Sequence, residues 1–327
     1  MITASPHSRL SSPAPGWREL WRDAITDAGE LLQLLGLGER TDLLPPDDAG
    51  FALRVPRGFV SRMRRNDPTD PLLLQVLPQR AEHERVDGFA EDAVGDMASR
   101  AGHGFLHKYD GRALLIASGS CAVNCRYCFR RHFPYGEEIA AASQWREALA
   151  LVRADPSIRE LILSGGDPLA LATHKLEELT RGLSDLPHVI RLRIHTRLPV
   201  VLPERIDEAF IAWMAALPLQ KVVVLHANHA NEFDGSVDAA CASSRRSTRS
   251  CVSTASILRC RDPRKQHVGE AEAREVAHPH RIENAIEMIA LVLHDPCVKA
   301  LDFALDHFAG RRKAPIAQTS KPRHDAA

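Results

Sequence analysis

From residue 113 onward, short apolar runs alternate with stretches of helical periodicity, and few architectures accept that order. The runs are ALLIAS (113–118), ELILSGG (160–166), VIRLRIHT (189–196) and KVVVLHAN (221–228). Between them lie SQWREALALVRA, HKLEELTRGLS and ERIDEAFIAWMAAL, each with helix periodicity. Strands followed by helices at this spacing predict right-handed βαβ units and a parallel sheet, as a barrel or an open sheet. In such sheets the chemistry sits at the C-terminal ends of the strands. The polar motifs of this chain fall at or just after those ends.

Residues 1–110 read as a mostly helical, Pro-punctuated region. GWRELWRDAITDAGELLQLLGL has apolar residues at helical spacing from Trp17 through Leu20, Trp21 and Ile25 to Leu31 and Leu32, and it ends at Gly36 to Gly38. RVPRGFVSRMRRNDPTDPLLLQVLP is basic and then Pro-rich, which suits an extended segment wrapped over another surface, its arginines solvated. After LHANHANEFDG the chain turns rich in Ser, Arg and Cys, and no strand and helix pair can be drawn through it. Helical patterns return at RIENAIEMIALVLHD and CVKALDFALDHFAG before a basic, polar tail.

With 327 residues and 44% hydrophobic composition the chain can bury a substantial core. Lys+Arg and Asp+Glu are equal at 42 each, which argues against nucleic acid or an anionic membrane as partner. No stretch reaches the roughly 18 to 20 apolar residues of a membrane span. The N-terminus, MITASPHSRLSSPAPGW, has Ser and Pro where a signal peptide has an apolar core, so a cytoplasmic location is expected. Seven cysteines in such a chain point to metal or catalysis more than to disulfides.

Three of those cysteines, Cys121, Cys125 and Cys128, form C-x3-C-x2-C directly after the first predicted strand. A structural zinc site wants four closed ligands, usually as two separated pairs, and no second C-x2-C pair exists. Cys241, Cys251, Cys260 or His132 could supply a fourth ligand, so zinc stays open. A disulfide would use two thiols and strand the third. A 4Fe-4S cluster on three thiolates explains the count, because its fourth iron keeps an open position.

This motif, with Tyr127 before the last cysteine, resembles the signature of the radical S-adenosylmethionine (radical SAM) enzymes. The wider set HKYDGRALLIASGSCAVNCRYCFRRHFPYGE, ELILSGGDPLAL, RLRIHTRLPVVLPERI and VLHANHANEFD resembles the lysine 2,3-aminomutase family. Its likeness is greatest to the bacterial subgroup that makes (R)-β-lysine for elongation factor P modification, and RVPRGFVSRMRRNDPTDPLLLQVLP is similar to that subgroup too. The resemblance covers roughly residues 15 to 234. It implies an α/β fold, a partial (β/α) barrel of the radical SAM type with a mostly helical N-terminal region. It also implies an isomerase that converts L-lysine to β-lysine with a 4Fe-4S cluster, S-adenosylmethionine and pyridoxal phosphate. In the family the open iron binds the amino and carboxylate groups of S-adenosylmethionine, and the reduced cluster cleaves it to a 5′-deoxyadenosyl radical. As partners the resemblance implies L-lysine and a functional link to elongation factor P, and a homo-oligomer is expected; charge balance and hydropathy leave no nucleic acid and no membrane.

By the same resemblance Cys121, Cys125 and Cys128 hold the cluster. Ser164, Gly165, Gly166 and Asp167 match the motif that contacts the amino group of S-adenosylmethionine, and a plain strand-to-helix turn is the alternative. Arg130 matches the arginine that pairs with the substrate carboxylate, where a guanidinium fork suits a bidentate contact. Lys108 and Arg112 match positions near the pyridoxal phosphate group, with surface charge the alternative for both. His195, Arg197, His226, Asn228 and His229 fall at strand ends without an assigned role. The family continues with an LLRGVND-like stretch and a glycine-rich segment carrying the lysine that holds pyridoxal phosphate, and neither is found here. Lys299, Lys313 and Lys321 are amines outside that context, so the lysine stays unknown. The organisation expected is therefore 1–110, a radical SAM core at 111–234, and a divergent or frame-shifted region at 235–327. That break also leaves two other functions in view, a radical SAM protein without aminomutation and a non-catalytic metal-cluster protein.

Overall fold

The computed structural model describes residues 15–45, 51–84, 90–140, 145–248 and 251–255. The stretch expected as one helix is two, α1 (Trp17–Arg22) and α2 (Ala28–Leu34). Asp27 causes the break by capping α2, its carboxylate accepting from the Glu30 N–H at 2.7 Å. Ile25, buried between the two helices, forms an isolated antiparallel bridge with Val55. A short helix α3 (Arg57–Val60) follows. The arginines of this segment are not all solvated: the Arg62 side chain is 7% exposed and pairs with Asp234 at 3.2 Å.

Seven strands form one sheet in sequence order: β1 (Arg100–Gly102), β2 (Phe105–Tyr109), β3 (Arg112–Ser118), β4 (Glu160–Gly165), β5 (Arg191–Thr196), β6 (Gln220–Ala227) and β7 (Cys251–Ala255). From β3 to β7 every pairing is parallel, which is the partial barrel expected. Strands β1 and β2 add an antiparallel edge that the sequence reading did not include. They are too short to show periodicity, and Gly104 (φ 62°) and Gly111 (φ 73°) make their turns in the left-handed conformation glycine allows.

Helices α4 (Arg146–Ala154), α5 (Thr173–Leu183), α6 (Leu198–Val201) and α7 (Glu208–Ala216) lie between the parallel strands; α4, α5 and α7 are close to the expected helical stretches, and the short α6 was not expected. Leu176, Leu179 and Leu183 of α5 and Phe210, Trp213 and Met214 of α7 are buried, each such side chain contributing roughly 1.5–3 kcal/mol. Trp213 donates its indole N–H to the Thr180 hydroxyl at 3.1 Å, joining α7 to α5. Along β5 burial alternates, with Leu192, Ile194 and Thr196 buried while Arg191, Arg193 and His195 project from the opposite, concave face. There Arg193 pairs with Glu160 at 2.6 Å.

The Ser-, Arg- and Cys-rich tract departs from expectation: it begins with α8 (Gly235–Thr248) and continues into β7, parallel to β6. One more strand and helix pair therefore lies beyond Asp234. Its buried positions Val237, Ala240 and Ser244 do recur at helical spacing, but the last two are small or polar, so apolar periodicity was too weak to read. Among the described residues, no helix is long and apolar enough to cross a membrane. The helical patterns at 281–309 lie outside the described residues.

Candidate active site

The loop that leaves β3 carries Cys121, Cys125 and Cys128 as free, partly buried thiols. Two other parts of the chain hold it. From the N-terminal region, the Arg54 carbonyl accepts the Asn124 N–H at 3.0 Å and the Gln75 carbonyl accepts the Arg126 N–H at 2.8 Å. Glu82 accepts from Arg126 Nε and from Arg131 Nη1, both at 2.9 Å, which closes a clamp over the loop. From the sheet, the Gly166 N–H donates to the Ser118 carbonyl at 2.6 Å and the Asp167 N–H to the Ser120 carbonyl at 2.9 Å. A Cβ on Gly166 would stand 2.7 Å from the Ser120 oxygen, and one on Gly165 (φ 118°) 2.5 Å from the Ser118 oxygen. Both glycines are therefore needed for the end of β4 to reach the backbone of the cysteine loop.

Burial pushes the Cys121 and Cys128 thiols above the ordinary range, and negative neighbours, Asp167 for Cys121 and Cys125 for both, add to it. Metal binding must then displace their protons. Among the described residues no three His, Cys, Asp or Glu side chains converge on one point, as a single zinc ion would require. Three thiolates on one loop suit a cubane, in which each binds its own iron and the fourth iron is left open.

Asp167 ties this loop to the next strand. Its buried carboxylate accepts from the Leu169 N–H at 2.9 Å, the Thr196 hydroxyl at 2.7 Å, the Arg197 N–H at 2.8 Å and the Leu198 N–H at 3.0 Å. Burial raises its pKa against those four donors. A carboxylate so occupied positions the β4 and β5 ends. Arg197 then reaches back to the cysteines, with Nη1 2.7 Å from Cys125 Sγ and also hydrogen-bonded to the Tyr127 hydroxyl. Its Nη2 lies 2.5 Å from Gln75 Oε1 and 3.0 Å from Glu232 Oε2.

Arg130 is buried, donating from Nε to Asp96 at 2.7 Å and from Nη1 to the Ser164 hydroxyl at 2.9 Å. The Asp96 carboxylate thus occupies part of the fork that the sequence reading gave to a substrate carboxylate. A guanidinium has five N–H donors, so others are left over. His195 and His226 stand edge to face on the concave side, 5.6 Å between ring centroids. Burial, then the charges of His226, Arg193 and Arg130, lower the His195 pKa well below its ordinary value. His226 is exposed as a residue, yet surrounding protein, then Arg197 and Arg130, push its pKa down to about 4. Both imidazoles are therefore neutral acceptors or donors here, not cations. His229 and Asn228 are structural: His229 Nδ1 accepts from the Asn231 N–H at 3.0 Å, and the Asn228 N–H donates to Glu232 at 2.8 Å.

Lys108 and Arg112 are not brought to this end. Arg112 opens β3 and Lys108 lies beside it on β2, so the length of β3, about 20 Å, separates them from the cysteine loop. Lys108 donates to the Val94 carbonyl, and both side chains are exposed. Among the described residues the other lysines are Lys175, paired with Glu178, and Lys221, bonded to the Leu217 carbonyl. None of these amines faces the ends of the parallel strands, so the described residues supply no anchor for pyridoxal phosphate. Lys299, Lys313 and Lys321 lie outside the described residues.

Gln75, Glu82, Asp96, Arg126, Thr196 and Glu232 are polar residues of this site that escaped the sequence reading. Only Glu232 carried a local signal. It closes a capping box with His229 around the turn Ala230–Glu232, in the spacing H-x-x-E.

Comparison with known proteins agrees with this arrangement. The radical SAM superfamily matches over residues 115–239. The chain is 46% identical to the L-lysine 2,3-aminomutase of Escherichia coli over 253 residues, 76% of this chain and 74% of that protein. It is 44% identical to the L-lysine 2,3-aminomutase of Haemophilus influenzae over 232 residues, 70% of this chain and 68% of the other. The enzyme of the same name from Clostridium subterminale is 29% identical over 228 residues, 69% of this chain and 54% of its own length.

Proposed function

Because the chain belongs to the lysine 2,3-aminomutase family of radical SAM enzymes, we propose that it is an isomerase converting L-lysine to β-lysine. The observation that carries this reading is the cysteine loop, held at the C-terminal end of β3 by the glycines of β4 and clamped by the N-terminal region. The cofactors are a 4Fe-4S cluster, S-adenosylmethionine and pyridoxal phosphate. Together they supply a radical that removes a substrate hydrogen and a ring system that carries the migrating nitrogen.

The chain's own groups then have these roles. Cys121, Cys125 and Cys128 ligate the cluster, and the clamp of Glu82, Arg126 and Arg131 holds their loop and limits water. Ser164, Gly165 and Gly166 line the place for S-adenosylmethionine beside the loop, while Asp167 fixes the backbone around it. Arg130 receives the lysine carboxylate with the donors that Asp96 and Ser164 leave over. Neutral His195 and His226 face the substrate hollow without adding charge.

Anaerobic reconstitution with iron and sulfide, then dithionite, S-adenosylmethionine, pyridoxal phosphate and L-lysine, tests the reading. Both 5′-deoxyadenosine and β-lysine are expected, and neither forming in a cluster-loaded protein refutes it. A second reading, radical cleavage of S-adenosylmethionine without aminomutation, draws on the absence of a suitably placed lysine among the described residues. It is supported if 5′-deoxyadenosine forms and β-lysine does not. A role in elongation factor P modification rests on the resemblance of the segment from Arg54 to Pro78, and the mass of elongation factor P with and without this chain tests it. The homo-oligomer is tested by sedimentation.

A further inference from the structure

Arg197 is a buried cation whose position is over-determined. Its side chain is 9% exposed and sits against two rings, Phe59 and Tyr127, each 5.6 Å away at the centroid. Its backbone is held by Asp167, one edge of its fork by Gln75 and Glu232, and the other edge meets Cys125 Sγ at 2.7 Å. Five segments of the chain thus fix one guanidinium against one sulfur. If Arg197 and Glu232 served only to hold the fold, well-packed apolar residues would do as well or better, because burying an ion pair costs desolvation. What an apolar pair cannot provide is a permanent positive charge and a strong N–H donor at Cys125.

We propose that Arg197 sets the reduction potential of the cluster through Cys125, with Glu232 as the opposing charge that moderates it. This rests on the reading above, in which the three cysteines hold a 4Fe-4S cluster. The step concerned is the entry of one electron from an external low-potential donor into the cluster; no bond forms or breaks, and the added negative charge stays on the cluster. Hydrogen bonds to ligating sulfurs and net charge nearby are the levers by which a protein moves such potentials. A cation at Cys125 favours the more negative, reduced cluster and raises the midpoint. The carboxylate of Glu232, 3.0 Å from the far side of the same guanidinium, works in the other direction. Arg197 is thus a positioning and tuning residue that acts through a ligand of the cluster.

The test uses the full chain, reconstituted anaerobically with iron and sulfide and carrying no S-adenosylmethionine, lysine or pyridoxal phosphate. A dithionite titration followed by electron paramagnetic resonance reads the midpoint of the wild type, Arg197→Gln, Arg197→Lys and Glu232→Gln. For Arg197→Gln the reduced-to-oxidised ratio at a fixed potential is expected to fall about tenfold, equivalent to about 59 mV for a one-electron couple. Glu232→Gln shifts the midpoint the opposite way, and Arg197→Lys falls between Arg197→Gln and the wild type. A purely structural role would not produce shifts of opposite sign. Should Arg197→Gln lose its cluster, the other two variants decide alone. Full iron content with unmoved midpoints overturns the inference and leaves the functional reading standing. Loss of the cluster in every variant also overturns it, in favour of a structural role. A wild-type chain that takes up no 4Fe-4S cluster overturns the functional reading itself.

Discussion

Asp167 offers the sharpest test of how this site is built. It is 4% exposed, and four donors converge on it from both sides: Leu169 N–H and the Thr196 hydroxyl on Oδ1, Arg197 N–H and Leu198 N–H on Oδ2. Asp167→Ala leaves the buried Leu169 and Arg197 N–H groups without a partner, at about 1–3 kcal/mol each, and leaves the Leu198 N–H with only the Thr196 hydroxyl at 3.1 Å. Entry of a water relieves part of this, so the expected loss is about 3 kcal/mol. Asp167→Asn keeps one acceptor, which will face Arg197 and Leu198, but turns its NH2 toward the Leu169 N–H and removes the charge. The expected loss is about 2 kcal/mol. Urea unfolding of the apo chain reads both values from the transition midpoints and slopes. If burial instead kept the carboxyl protonated, the Asn amide would mimic it and cost almost nothing. An Asp167→Asn loss under about 0.5 kcal/mol would therefore refute the ionised hub, within the accuracy of such extrapolations.

Other consequences follow from the same contacts. Glu82 has its pKa held below the ordinary carboxylate value: burial alone would raise it, but the bonds from Arg126, Gln79 and Arg131 more than offset that. Its contribution is thus full above the unfolded value of about 4.3 and is lost as pH falls through the lowered folded value. Glu82→Gln is expected to lower stability by about 1 kcal/mol at neutral pH, allowing for solvent screening, and by nothing in strong acid. Urea midpoints of both proteins across pH measure this, and a pH-independent difference counts against the clamp. Gly166→Ala forces a Cβ to 2.7 Å from backbone that cannot swing away, so iron and sulfide per chain should fall while far-UV circular dichroism is kept. Gly136→Ala, with nothing within 4 Å, is the control that should load normally.

The parallel sheet was legible because β3, β4 and β6 carry runs of Leu, Ile and Val buried along much of their length and β5 alternates buried Leu192 and Ile194 with polar residues, patterns that stand out against the amphipathic helices between them. Where burial uses other means, sequence reasoning failed. The edge strands β1 and β2 are held by glycine turns rather than by an apolar run, and α8 is seated by Val237, Ala240 and Ser244, of which only the first is a strong hydrophobic signal. The single helix expected over 17–32 became two because one capping carboxylate, Asp27, outweighed a periodicity that continues across it.

The site divides along the same physical line. Of the positions fixed by their own strand end, the three cysteines stand out as a local pattern, while Ser164 to Asp167 read locally as a turn and take a ligand role only through the family resemblance. The side chains that make those positions into one site are partners distant in the chain: Gln75 meets Glu232 across 157 residues, Arg197 meets Cys125 across 72, and Arg130 meets Asp96 across 34. A polar side chain at such a place has no periodic neighbours, and in sequence it cannot be told from a solvated loop residue. Burial separates the two cases, because a charge inside must find a partner. Arg62 and Arg197 illustrate it: the first was read as solvated and the second had no role, yet both are buried and both end on the β6–α8 connection, at Asp234 and Glu232. The N-terminal region, the cysteine loop and the β5 end therefore all depend on a connection just five residues long between Asn228 and Glu232 and its continuation to Asp234.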